Sequence, residues 1–302
     1  GWVQPRSVLL WSQFVTTAGR RPMHRGMDAK DKDSAPVARL EDAIDWKPRE
    51  PDRFVGAISP DWAQGRGAYG GVVGAGVARA ISQGVPEDRV LRSITMAFAG
   101  PVEPETDFEC STRLLRAGRN ASFVHASLEQ EGTQRVVATG AFGVPRESSV
   151  SIDGPARPEA PPPEEGMLMP YFEGLTPRFT KQLEIRLTHG AFPFTGELKT
   201  EMGGWCRFRD TSPKGDPPGL LAMIDAWPSP VLSGVSMPAP ASTIRWAVDF
   251  VATDAGEPLD QWWYYSVDAV FAVDGYVSAE ASLWSPSGRY VARSSQLVGV
   301  FG

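Results

Sequence analysis

The chain has 302 residues, 42% hydrophobic and 22% charged, enough to bury a sizeable core and to form two domains of ordinary size. Its 30 basic and 36 acidic residues give a net charge of −6 with no basic block interleaved with aromatics, which excludes recruitment of a nucleic-acid backbone by charge. Two cysteines, Cys110 and Cys206, and three histidines, His24, His125 and His189, offer no disulfide framework, no zinc-ligand spacing and little imidazole chemistry, so no metal and no cofactor are expected.

The first 27 residues carry arginines from Arg6 to Arg25 and no acid before Asp28, a bias shared by organellar transit peptides and by translated upstream sequence. The second explanation carries more weight, with Met23 or Met27 as a natural start. The polar stretch from Asp28 to Asp33 reads as a lead-in, so residues 1–50 are expected to be disordered or extended. An apolar helix follows over 70–83, through Val72, Val73, Val77, Ala80 and Ile81. Strand pattern resumes near 92–98 and continues at 106–116, 121–130 and 134–143, with turns at Arg119-Asn120 and Gly132. Residues 146–167, with Ala160-Pro161-Pro162-Pro163-Glu164-Glu165, are rich in proline and acid without periodicity and read as a linker. Beyond it, Asp216 caps a helix opened by Pro217-Pro218, continued to Trp227 and ended by Pro228. A strand opens at Thr243, and runs at 261–272, 276–284 and 289–300 are separated by Asp274-Gly275 and Ser287-Gly288.

The order of helix, strand and hairpins is therefore the same on both sides of the linker. Ala126-Ser127-Leu128 falls opposite Ala281-Ser282-Leu283, and Val136 opposite Val291, at an offset of 155 residues. One helix followed by several antiparallel strands is satisfied when the sheet curls around the helix and buries its apolar face. Two such units, over 51–145 and 168–302, can pair their sheets edge to edge and so remove two exposed edges. The expected fold is α+β: two repeats of a curled antiparallel sheet around a central helix, a double hotdog. No apolar run reaches the length of about eighteen residues that a membrane span requires, and a cytoplasmic protein without membrane or nucleic-acid partners is expected.

The segment Gly67-Ala68-Tyr69-Gly70-Gly71-Val72-Val73-Gly74 and the hairpin Arg116-Ala117-Gly118-Arg119-Asn120-Ala121-Ser122 resemble the acyl-CoA thioesterase II-like family of double hotdogs. So does a trio in the second half: Asp225 in an apolar helix, Thr243 opening the next strand, and Gln296 eight residues after Gly288. The resemblance covers nearly everything from Phe54 to Gly302. It implies hydrolysis of an acyl-CoA substrate, with the trio orienting a water for attack on the thioester, and a homo-oligomer of double hotdogs is compatible with it. The chain departs from the better-characterised branch at Val72, where that branch has a Gln, so a drier pocket and a different substrate preference are expected.

The residues bear on this independently. A carboxylate among Leu220, Leu221, Met223, Ile224 and Trp227 is costly to bury unless it is hydrogen-bonded or used; an exposed helix face is the plain alternative. Thr243 alone is an ordinary strand residue, and Gln296 alone could face solvent, although its amide offers both donor and acceptor to a water. Gly70 and Gly71 can present unhindered N–H groups to an oxyanion with the helix dipole behind them, or can simply permit close packing. His125 and His189 read as structural, and the many tryptophans of the second half as core. The rival to a thioesterase is a non-catalytic acyl or acyl-CoA binding protein, because a groove of this fold holds an acyl chain whether or not it cleaves it.

Overall fold

A computed structural model describes residues 38–211, 213–251 and 256–301; the expected lead-in over 1–37 lies outside the described residues. The first described element is a helix, α1 (Leu40–Ile44), followed by β1 (Lys47–Glu50) and β2 (Arg53–Gly56). Leu40, Ala43, Ile44 and Trp46 are buried in the main core. The first unit thus begins near residue 40, and the expected extended lead-in up to residue 50 is corrected at its end. The reason is Trp46, whose indole covers the backbone of Gly76 so closely that a Cβ there would overlap the ring.

After the short strands β3 (Ala63–Gln64) and β4 (Gly67–Ala68), helix α2 spans Gly70–Ser82 and buries Val72, Val73, Val77, Ala78 and Ile81. Four strands complete the first half: β5 (Val90–Phe98), β6 (Phe108–Ala117), β7 (Ala121–Gln130) and β8 (Thr133–Gly143). The second half holds β9 (Met167–Leu168), β10 (Leu183–His189), β11 (Glu201–Phe208), helix α3 (Pro217–Ile224), β12 (Ala241–Phe250), β13 (Trp263–Val273), β14 (Tyr276–Trp284) and β15 (Tyr290–Val300). The sequence pattern places the long strands to within about two residues. Asp274 and Gly275 both adopt positive φ, as the tight hairpin between β13 and β14 requires.

All but β3 and β4 join one 13-stranded sheet in the order β1-β2-β6-β7-β8-β5-β12-β15-β14-β13-β11-β10-β9, every pair antiparallel where the units meet. Strands β5 and β12 make that junction, with Met96 opposite Trp246 and Thr95 opposite Ala247. The edges end in a short strand carrying Lys47, Pro48, Arg49 and Glu50 and in a two-residue strand, both poor templates for a further strand. Helices α2 and α3 pack on each other, α2 also against β5, β6, β7 and β8, and α3 against β11.

The repeat holds in register with one adjustment. Ala126 pairs with Ala138 and Leu128 with Val136, while Ala281 pairs with Ser294 and Leu283 with Ala292. Val136 therefore corresponds to Ala292 and not to Val291, because the chain from Leu283 round to its partner Ala292 is one residue longer than that from Leu128 to Val136. The proline-rich connection is not free of the fold either. Trp284 Nε1 donates to the carbonyl of Pro155 at 2.9 Å and Trp205 Nε1 to that of Pro161 at 2.8 Å, while Arg157 stacks over the Trp205 ring. It crosses an aromatic cluster of Trp205, Tyr264, Trp284 and Tyr290, separate from the main core.

Because a methyl group at Gly76 meets the Trp46 indole, Gly76→Ala should lower stability by about 1–3 kcal/mol, the usual cost of overpacking. Urea unfolding that gave the same midpoint as the parent would show that Trp46 does not cover this helix.

Candidate active site

Helix α3 starts where Asp216 Oδ1 accepts from the N–H of Gly219 at 2.9 Å, with Pro217 and Pro218 filling the first turn, whose amides have no helical acceptor. From Gly219 to Ile224 every residue is buried. The helix stops at Asp225, its C-cap, which bonds back to Leu221 and Met223. The expected span to Trp227 is thus shortened, and the carboxylate stands at the end of the helix rather than on its side. Asp225 keeps part of its surface accessible.

Three neighbours meet this carboxylate. Gln296, on β15, donates from Nε2 to Oδ1 at 2.6 Å. Gly70 approaches so closely that a Cβ there would lie 2.8 Å from Oδ2. The backbone N–H of Gly71 is turned to the same carboxyl and favours its charged form. Both glycines are explained by contact: Gly70 by Asp225, and Gly71 by the Tyr69 ring that a Cβ would strike. The positive end of α2 therefore faces a carboxylate that sits at the negative end of α3. Burial dominates the balance and raises the Asp225 carboxyl from 3.8 to about 7, with Gln296 and then Gly71 holding it back.

Thr243 lies at the start of β12 and pairs with Val298; a bulge at Ile244 then restores Arg245 to Leu297 and Trp246 to Gln296. The bulge leaves Thr243 on the same face as Val298 and Gln296, two residue pairs beyond Gln296 along the strands. Of the sequence-derived trio, Asp225 and Gln296 touch, and Thr243 shares their face without a hydrogen bond to either among the described residues. Val72 is fully buried beside the helix start.

The sequence reading missed two tyrosines. Tyr69, fully buried, donates its hydroxyl to the carbonyl of Ala222 at 2.8 Å and stacks on Phe179 at 3.8 Å between centroids. Its position directly before the glycine pair was the available signal. Tyr265, on β13, stacks on Trp227 at 5.2 Å, but in the run Trp262-Trp263-Tyr264-Tyr265 nothing separates it from the core aromatics around it. Cys206, also buried here, has its thiol pushed up to about 12 by burial, which leaves no thiolate for nucleophilic attack. His189 neighbours Thr188 and Tyr264, and His125 lies on β7 opposite Arg113 and Thr139. Among the described residues no group of three or more His, Cys, Asp or Glu is placed to hold a metal ion, and no helix is long and apolar enough to cross a membrane.

The acyl-CoA thioesterase N-terminal domain model matches residues 58–143 and the acyl-CoA thioesterase C-terminal domain model matches residues 155–300, together well over half of the chain. The chain belongs to the acyl-CoA thioesterase family. No curated protein sequence matches it. Among solved structures it is similar to a conserved hotdog-fold protein of unknown function from Alicyclobacillus acidocaldarius, at 22% identity and a TM-score of 0.78, over 87% of this chain and 98% of the other. The tesB protein of Mycobacterium avium subspecies paratuberculosis is similar at 18% identity and a TM-score of 0.70, over 87% and 98%. An acyl-CoA thioesterase II from Mycobacterium marinum follows at 18% and 0.67, over 87% and 99%. At these identities the likeness speaks for the fold, which is a hotdog fold.

A carboxyl raised by burial binds its proton more tightly in the folded chain than in the unfolded one. Its contribution to stability is therefore full below the ordinary value near 3.8 and is lost as pH rises through about 7. Asp225→Asn should accordingly gain melting temperature over the parent by a few degrees at pH 9, and by much less at pH 5. Carbon-13 detection should find the Asp225 carboxyl titrating near 7, and higher still in Gln296→Leu; a titration near 4 would show that the site is wet.

Proposed function

We propose that the protein hydrolyses an acyl-CoA thioester to free acid and CoA by an oriented water, with Asp225 as general base. The observation that carries this reading is the Gln296–Asp225 hydrogen bond on a largely buried carboxyl held near 7. Such a group is substantially ionised at neutral pH and still basic enough to accept a proton, the optimum for general-base work. Gln296 fixes Oδ1, which leaves Oδ2 to accept from a water, and Thr243 on the same face supplies a hydroxyl as the second tether.

In this reading the water attacks the carbonyl carbon as its proton passes to Asp225. The tetrahedral intermediate then expels the CoA sulfur as thiolate, which takes that proton on leaving. Gly70, the first residue of α2, has an N–H with no helical acceptor and can donate to the developing oxyanion, while the N–H of Gly71 steadies the base. A thioester carbonyl is electrophilic enough that a positioned water with one carboxylate suffices, so the shortage of histidine is no obstacle. Family membership supports acyl-CoA as the substrate class.

Asp225→Asn should lower kcat on the order of 10²–10⁴-fold, the general-base share. Thr243→Ala and Gln296→Ala should cost roughly five- to two-hundred-fold, the loss of one positioning hydrogen bond, with KM little changed in all three. Release of free thiol from a panel of acyl-CoA thioesters measures this. A folded Asp225→Asn protein that turns over at the parent rate removes the mechanism. A parent that binds acyl-CoA and cleaves none of the panel is instead a binding protein.

A further inference from the structure

We propose that Tyr265 is a further catalytic residue, whose hydroxyl donates a hydrogen bond to the thioester carbonyl oxygen and to the oxyanion it becomes. The inference rests on the hydrolytic reading above and adds a donor to it. Tyr265 is 4% exposed, and the alternation of β13 sends its ring inward with Trp263 and Val267, onto the side of the sheet that carries Gln296. It stacks nearly parallel, at 9°, on Trp227, two residues beyond Asp225.

Its hydroxyl has no hydrogen-bond partner among the described residues. Of the neighbouring polar groups, Tyr69 is committed to the carbonyl of Ala222 and Gln296 to Asp225, while the indole N–H of Trp227 is itself buried without a partner among the described residues. The hydroxyl keeps some accessible surface and so takes its partner from whatever enters the site, whereas phenylalanine would make the same stack on Trp227 without it. A tyrosine here therefore needs a partner that the folded chain does not itself supply. The carbonyl oxygen of a bound thioester is such a partner, because its carbon must lie within reach of the water held by Asp225.

The phenol is suited to donate and not to transfer. Burial first, and then the nearby Asp225 and Cys206, raise it well above its ordinary value, so it keeps its proton at neutral pH. As the water attacks, its oxygen bonds to the carbonyl carbon, the π electrons move to the carbonyl oxygen, and the proton goes to Asp225. Tyr265 stabilises the resulting oxyanion beside the Gly70 amide. When the carbonyl re-forms, the carbon–sulfur bond breaks and the thiolate takes the proton back from Asp225.

The test compares Tyr265→Phe with the parent in three ways. With the best straight-chain acyl-CoA the variant should lose roughly 100- to 1,000-fold in kcat, the usual effect of removing one oxyanion donor, with an unchanged melting temperature. The ketone analogue of that acyl-CoA, which keeps the carbonyl and cannot be cleaved, should bind it more weakly. The S-alkyl thioether analogue, which has no carbonyl, should bind both proteins equally. A parent-like kcat overturns the inference, and so does equal weakening of both analogues, which marks a structural role. Asp225→Asn run alongside separates the two readings. If it is inert while Tyr265→Phe is fully active, only the role of Tyr265 fails; if it is fully active, the hydrolytic reading fails first.

Discussion

The structure turns on a carboxylate that has to be sheltered from bulk water without being left unpaired. Asp225 meets that demand only because two units close on it: the second supplies the carboxyl and Gln296, the first supplies the start of α2. Gly70 has to be glycine for the helix to come so near, and Tyr69 locks the approach by bonding Ala222 one turn before the carboxylate. Neither unit alone holds the site. The covalent connection between them keeps the two surfaces at high effective concentration.

The continuous sheet serves the same closure. Trp246 on β12 is fully buried at the seam, paired with Met96 across it, and its indole N–H bonds the hydroxyl of Ser294 at 2.9 Å. A Cβ on Gly74 would come within 2.8 Å of that ring, so α2 rests directly on the seam tryptophan. The position of the helix start, and with it Gly70 and Gly71, is thereby set by strands of both halves. On the other side of the second half, the proline-rich connection satisfies Trp205 and Trp284.

Much of this was legible in the sequence because it is periodic. The strands alternate, the apolar run of α2 has helical spacing, and Asp216-Pro217-Pro218 and Asp274-Gly275 specify their turns by chemistry that acts within a few residues. What escaped was non-local. Leu40, Ile44 and Trp46 look like scattered apolar residues in a polar stretch until Gly76 is seen to receive the indole. The connection reads as a linker because proline lacks periodicity, and only the facing tryptophans reveal that it is held. In the site, Asp225 and Gln296 were legible through resemblance and burial cost. Tyr265 was not, since a tyrosine with an unpaired hydroxyl and one with a paired hydroxyl are the same letter.

The duplication also accounts for a single site in place of two. Following the register from Ala126 and Ala281, the residue of the first unit that corresponds to Gln296 is Gly140, and the one that corresponds to Tyr265 is Cys110. In the first unit α2 continues for 13 residues, and Ile81 lies so close to Gly140 that a Cβ there would strike it, so apolar packing fills the place of the amide. In the second unit α3 stops after 8 residues at Ile224, and the space released is where Asp225 turns toward Gln296. One repeat thus keeps a long helix packed on a glycine, and the other a short helix whose C-cap carboxyl meets a glutamine.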